Sequence, residues 1–182
     1  DGMERRLDAG ETLDVHSVAS FFVSRVDTEV DARLGDAHPE LLGVAGVANA
    51  RAAYAAYERV IGGERFARLR AAGAPVQRPL WASTGVKNPA YSDVLYVDEL
   101  AGPDTVNTMP LDTLRAAADH SEATEARCTV DPSETLSALA AAGIDMVDVT
   151  GTLLTQGVEK FVEPMDALLA AIDARRTELV SA

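Results

Sequence analysis

The run SVASFFVSRVD, residues 17–27, is apolar through its middle and then delivers a guanidinium, Arg25, followed by Asp27. A second run, PLWASTGVK from Pro79, ends on Ser83, Thr84, a Gly85 turn and Lys87. A third, DTVNTM from Asp104, carries Asn107 and Thr108. Together these ends supply hydroxyls (Ser20, Ser24, Ser83, Thr84), two cations and a glycine turn. Arginine grips phosphate through a forked pair of donors, lysine acts as a point charge, and amides exposed at a glycine turn add further donors. If the three ends share one rim, that rim binds an anion. A second reading of Arg25 is structural: it pairs with Asp27 or Glu29 and covers the fold. The pattern alone leaves both open.

Lys87 also has two readings. A lysine at a strand end can be a Schiff-base nucleophile, but that role needs a desolvated site to lower its pKa. Three residues past Thr84 and next to Asn88-Pro89, Lys87 reads as a turn residue, which suits a phosphate or surface contact better. The one other lysine, Lys160, falls on the polar side of a helix. Asp27 and Asp31 read either as an acid/base pair or as charges near a helix N-terminus, the latter being the commoner arrangement. His16 precedes the first run, away from the rim. Cys128, the single cysteine, sits in ARCTVDP without a histidine beside it and reads as a structural thiol. His16, His38 and His120 are scattered, so no zinc spacing exists.

These residues need elements to hold them. Val18–Ser24, Pro79–Thr84 and Asp104–Met109 read as strands. Their weak in/out alternation predicts a parallel sheet covered on both faces. Between them the apolar spacing predicts helices over 26–34, 44–61, 64–72, 91–100 and 111–118. Asp131-Pro132-Ser133-Glu134 reads as a capping box, with Asp131 at N-cap, for a helix that stops at Gly143. A last helix spans about 149–176, with Leu154, Val158, Phe161, Met165, Leu168 and Ile172 on one side and Pro164 as a kink or restart. MERRLDAGET looks like the tail of a helix entering a loop, as if the chain began inside a larger structure. The order β-α-β-α-β-α implies parallel strands with right-handed crossovers. In such sheets ligands sit at the C-terminal strand ends, where the chemistry above collects. Three strands do not close a (β/α)8 barrel, and no Gly-x-Gly-x-x-Gly fingerprint is present.

Of the 182 residues 47% are hydrophobic, enough for a core. The net charge of −13 repels nucleic-acid backbones, so any anion must be held by local cations and amides. No apolar run is long enough to span a membrane, and no signal core opens the chain. The cytoplasm is the expected compartment.

The blocks SVASFFVSRVDTEVD, RPLWASTGVKNPAYSDVLYVDELAGPDTVNTMP and GVEKFVEPMDALLAAI resemble the C-terminal half of bacterial transaldolases of the longer subfamily. The resemblance covers nearly the whole chain, residues 1–182. It implies a (β/α)8 TIM barrel, with the three strands as its sixth, seventh and eighth. It also implies transfer of a dihydroxyacetone unit between sugar phosphates in the pentose phosphate pathway, through a Schiff-base lysine and with no cofactor. By the same resemblance Ser20, Phe22 and Arg25 match the sixth-strand site, with Arg25 on the substrate phosphate, and Ser83 matches the seventh-strand serine. Many relatives carry arginine two residues after that serine, where this chain has Gly85, and Lys87 is the candidate replacement. The family's lysine, aspartate and glutamate belong to strands outside this sequence, so no catalytic residue is expected here. A half-barrel exposes strand edges and an apolar interior. The expected partners are therefore sugar phosphates and either the missing N-terminal half or a second copy, with neither nucleic acid nor membrane. A related aldolase and a non-catalytic phosphosugar-binding fragment are the alternatives.

Overall fold

A computed structural model describes residues 1–123 and 126–180 of the chain. It divides into two compact units, Asp1–Ile144 and Asp145–Ala182.

The first unit opens with α1 (Gly2–Asp8), which ends in a loop as MERRLDAGET predicts. Strand β1 (Val18–Phe22) leads directly into α2 (Ser24–Leu34). Helices α3 (Ala45–Gly62) and α4 (Glu64–Ala71) make the crossover to β2 (Arg78–Ala82). The short α5 (Leu95–Leu100) precedes β3 (Val106–Asn107), and α6 (Leu111–His120) and α7 (Ser133–Ala141) follow. The strands form one parallel sheet in the order β1-β2-β3, with Phe22 opposite Ala82 and Leu80 opposite Val106. The alternation of strands and helices is the predicted one. A three-stranded parallel sheet with helical crossovers is consistent with part of a (β/α)-type barrel.

Several boundaries differ from the sequence reading. The first strand stops at Phe22, and Ser24 is already helical. The helix expected from Tyr91 starts only at Leu95. The third strand has two residues rather than six, pinned at its end by the Thr108 amide on the Trp81 carbonyl at 3.0 Å. Asp131 is not the N-cap of α7, a position Pro132 takes. Its carboxylate instead accepts from the Ser133 amide (3.0 Å) and hydroxyl (2.6 Å), so it still satisfies an end donor of the helix.

The expectation of a sheet covered on both faces is not met. Side chains alternate across a strand. Pro79 and Trp81 of β2 are buried on the helical side, where Phe21 meets Trp81 edge-on at 6.4 Å. The opposite face of β1 is open: Val18 is 46% and Phe22 44% exposed. The core therefore lies on one side, built from Val23, Val47, Tyr54, Trp81, Tyr96, Leu100 and Cys128. Trp81 fills it as an almost fully buried ring, and its indole N–H donates to the Leu100 carbonyl at 2.9 Å. Cys128 is the buried structural thiol its context predicts.

The second unit is a single helix, α8 (Met146–Val180). Pro164 lies inside it without ending or restarting it. Leu154, Phe161, Met165 and Ile172 on its apolar stripe are each more than half exposed. No single helix among the described residues is long and apolar enough to cross a membrane.

Candidate functional site

The backbone pairing of β1 and β2 continues past both strands. The Val23 amide reaches the Ala82 carbonyl at 2.9 Å, and the Ser24 amide reaches that of Ser83 at 3.0 Å. The first turn of α2 is thereby fastened to the C-terminal end of β2. Ser24 is 1% exposed, and its Oγ lies 2.8 Å from Ser83 Oγ. Ser83 holds φ +56, a left-handed conformation that a non-glycine residue keeps only where its surroundings impose it. Thr84, fully buried, donates its hydroxyl to Asn107 Oδ1 at 2.7 Å. One rim thus carries Phe22, Ser24, Arg25, Ser83, Thr84 and Asn107.

Arg25 sits with its guanidinium carbon 4.5 Å from the Phe22 ring centroid, a cation–π contact. Among the described residues no carboxylate lies within ion-pair distance of it. The structural alternative for Arg25 required Asp27 or Glu29. Glu29 instead accepts from Arg33 at 2.9 Å. Asp27 is turned inward, 2% exposed, with the Gly46 amide at 2.7 Å on Oδ1 and the Tyr96 hydroxyl at 2.6 Å on Oδ2. The half-buried cation is left at the rim without a carboxylate partner among the described residues.

The other predicted residues are placed less closely. Ser20 is exposed on β1, two residues before Phe22 and on the same face. Lys87 is exposed in the loop after β2, and no contact among the described residues joins it to Arg25 or Ser83. Gly85 is hemmed in: a Cβ there would lie 3.0 Å from Pro110 Cγ. A side chain at this position therefore requires Pro110 to give by a few tenths of an ångström. No group of three or more His, Cys, Asp or Glu side chains among the described residues is arranged to hold a metal ion.

Sequence reasoning missed how α2 is moored. Asp27 lies in the first turn of α2, the helix-start position its sequence suggests, but both it and Asp31 one turn on are engaged by partners from other elements. Asp31 repeats the arrangement of Asp27, accepting from the Gly43 amide at 2.9 Å and the Tyr91 hydroxyl at 2.7 Å. Two carboxylates on α2 thus clamp the start of α3 and two tyrosines from the loop and helix after β2. A signal was available in the spacing Asp27/Asp31 against Gly43/Gly46, though not its three-dimensional meaning. Burial pushes the Asp27 carboxyl above its ordinary value, against the two donors that favour the charged form. Burial and the Asp31 carboxylate push the Tyr91 hydroxyl up to about 12.

The Asp27 shift has a consequence for stability. A carboxyl whose folded pKa is raised contributes most below its unfolded value, near pH 3.8, and loses that contribution as pH rises through the folded value. Asn at this position carries no charge to desolvate. The melting temperature of Asp27→Asn minus that of wild type is therefore expected to move in the variant's favour on raising the pH from about 3.5 to 7. Differential scanning calorimetry across that range measures it, and a difference that is flat or moves the other way contradicts the buried-charge account.

A parallel sheet with helical connections and a polar, cation-bearing rim at the C-terminal strand ends defines an α/β protein consistent with part of a barrel. A family model described as "Transaldolase/Fructose-6-phosphate aldolase" matches residues 3–172, and the chain belongs to that family. Among similar curated proteins, one named transaldolase from Mycolicibacterium smegmatis is 59% identical over 179 residues, covering 94% of this chain and 48% of the relative. Those named transaldolase from Mycolicibacterium paratuberculosis and Saccharopolyspora erythraea are 55% and 50% identical, covering 92% and 94% of this chain. The chain spans about half the length of the relatives it matches.

Proposed function

We propose that this chain is the phosphate-binding half of a cytoplasmic transaldolase, its strands being the sixth to eighth of a (β/α)8 barrel. The reaction is transfer of a dihydroxyacetone unit between sugar phosphates of the pentose phosphate pathway, through a Schiff base and without a cofactor. One observation carries the reading: Arg25 stacks on Phe22 beside the Ser24–Ser83 pair and has no carboxylate partner among the described residues. In a chain of net charge −13, a half-buried guanidinium with no carboxylate partner among the described residues is suited to hold an anionic group. Ser20, Phe22, Arg25 and Ser83 line it, and Lys87 lends a second positive charge from the loop.

The nucleophile lies outside these residues. A Schiff-base lysine has to be desolvated so that its amine is neutral and reactive. Both lysines of the chain, Lys87 and Lys160, are exposed. A complementary barrel segment, or a second copy of the chain, covers the open face of β1 and completes the fold.

Borohydride reduction in the presence of fructose 6-phosphate tests this directly. The 182-residue chain alone is expected to trap no adduct by mass spectrometry. Joined to a segment carrying strands with a buried lysine, it is expected to trap one there and to transfer the unit to an added aldose phosphate. An adduct on Lys87 overturns the assignment. Cleavage of the ketose phosphate without transfer indicates the aldolase alternative. Sugar-phosphate binding with no adduct in the joined protein indicates a non-catalytic module.

A further inference from the structure

Ser24 is not among the residues proposed to line the anion site, yet it is the residue through which α2 and β2 meet. We propose that Ser24 is a positioning residue for the anion site, acting through Ser83; the inference rests on the phosphate-binding reading of the rim. Two bonds from Ser24 converge on Ser83: amide to carbonyl at 3.0 Å and hydroxyl to hydroxyl at 2.8 Å. They act on a residue at φ +56, a conformation that persists only when neighbours over-determine it. Ser24 is itself fixed. It is 1% exposed, its carbonyl accepts from the Thr28 hydroxyl at 2.9 Å, and Asp27 moors the same turn to Gly46.

The hydroxyl pair has a direction to choose. Each serine hydroxyl has one proton to donate and lone pairs to accept. The ionised oxygens of a phosphate only accept. With an anion on the rim, the favoured order is Ser24 O–H to Ser83 Oγ and Ser83 O–H to a phosphate oxygen. Bonds in such a chain polarise one another. Ser24 thereby frees the Ser83 proton for the ligand while Arg25, its chain neighbour, supplies the charge.

Titration of the chain with inorganic phosphate, followed by calorimetry and by backbone amide NMR, tests the proposal. Loss of one neutral hydrogen bond predicts that Ser24→Ala weakens phosphate binding roughly three- to tenfold. Ser24→Thr, which keeps the hydroxyl, is expected to recover most of it. In the Ser83→Ala background Ser24→Ala is expected to cost nothing further. Equal losses with and without Ser83, or no loss at all, overturn the proposal. If Arg25→Ala weakens binding and Ser24→Ala does not, this inference alone fails; if Arg25→Ala binds phosphate as wild type does, the anion reading fails with it. Should Ser24→Ala not fold, the bridging hydroxyl proton of the wild-type chain gives the answer. Being buried, it is expected to exchange slowly and to shift when phosphate is added, and an unmoved resonance overturns the role.

Discussion

Arg25→Ala is expected to weaken binding of inorganic phosphate or a sugar phosphate by roughly ten- to a hundredfold while leaving the melting temperature within a few degrees of wild type. The affinity estimate follows from the geometry of the group removed. A guanidinium facing an anion makes charge-assisted bonds, each contributing about 1.5–3 kcal/mol, and every ~1.4 kcal/mol is a factor of ten in affinity. The stability estimate follows from what Arg25 does not do. It forms no ion pair among the described residues; its contact is with the Phe22 ring, at 4.5 Å. An exposed cation–π contact is worth roughly 0.5–1 kcal/mol, and a substitution of that size moves the melting point of a domain this long by only ~2–4 °C. Affinity and stability are thus expected to separate. Arg25→Lys is expected to fall between, because an ammonium keeps the charge and loses the fork. Calorimetric titration beside a thermal melt reads both quantities. If Arg25→Ala unfolds the chain while sparing phosphate affinity, the guanidinium is structural cover after all.

The sequence made some of this legible because the relevant physics is local. Strand runs such as PLWAS and the crossover between them are short-range patterns, and the β-α-β-α-β-α order follows from them. The burial of Trp81 follows too, since a large aromatic in an apolar strand has little alternative to the core. Coverage of the sheet was not legible in the strand runs themselves, although the resemblance to half of a barrel implied an exposed apolar face. Val18 and Phe22 have the composition of buried residues, but composition does not say whether a neighbouring layer is present on that face, and here the face is open. The end of the first strand was misplaced for a related reason. VASFFVS is uniformly β-prone, and it is the tie from Ser24 to Ser83, fifty-nine residues away, that starts the helix at Ser24. Asp27 shows the same limit. Its position three residues after a serine resembles a local capping pattern, whereas its carboxylate serves Gly46 and Tyr96. Polar residues were readable in type but not in partner, because their partners lie far along the chain.

The mooring of α2 leads to the second large expected effect. Gly46→Ala is expected to destabilise the chain by about 1–3 kcal/mol, although alanine is the better helix former by ~1 kcal/mol and position 46 lies in α3. A methyl group there would sit 2.7 Å from Asp27 Oδ2 and 2.8 Å from the Val23 carbonyl oxygen. The first atom belongs to a side chain already held by Tyr96 at 2.6 Å; the second is backbone, in the residue that precedes α2. Neither has a free rotamer to retreat into, so relief requires α2 and α3 to separate. Separation loosens the Gly46 amide from Asp27 Oδ1, a buried acceptor whose lost partner adds to the steric cost. Helix propensity is therefore the smaller effect, and the net sign is destabilising. The melting point is expected to fall by roughly 2–12 °C, as ~2–4 °C per kcal/mol implies for a chain of this length. Because the turn that shifts carries Ser24 and Arg25, phosphate affinity is expected to fall in the same variant, unlike the separation argued for Arg25→Ala. Urea unfolding and phosphate titration of Gly46→Ala measure the two together. A variant as stable as wild type, or one destabilised with its phosphate affinity intact, would mean that the contact between α2 and α3 does not hold the anion site in place.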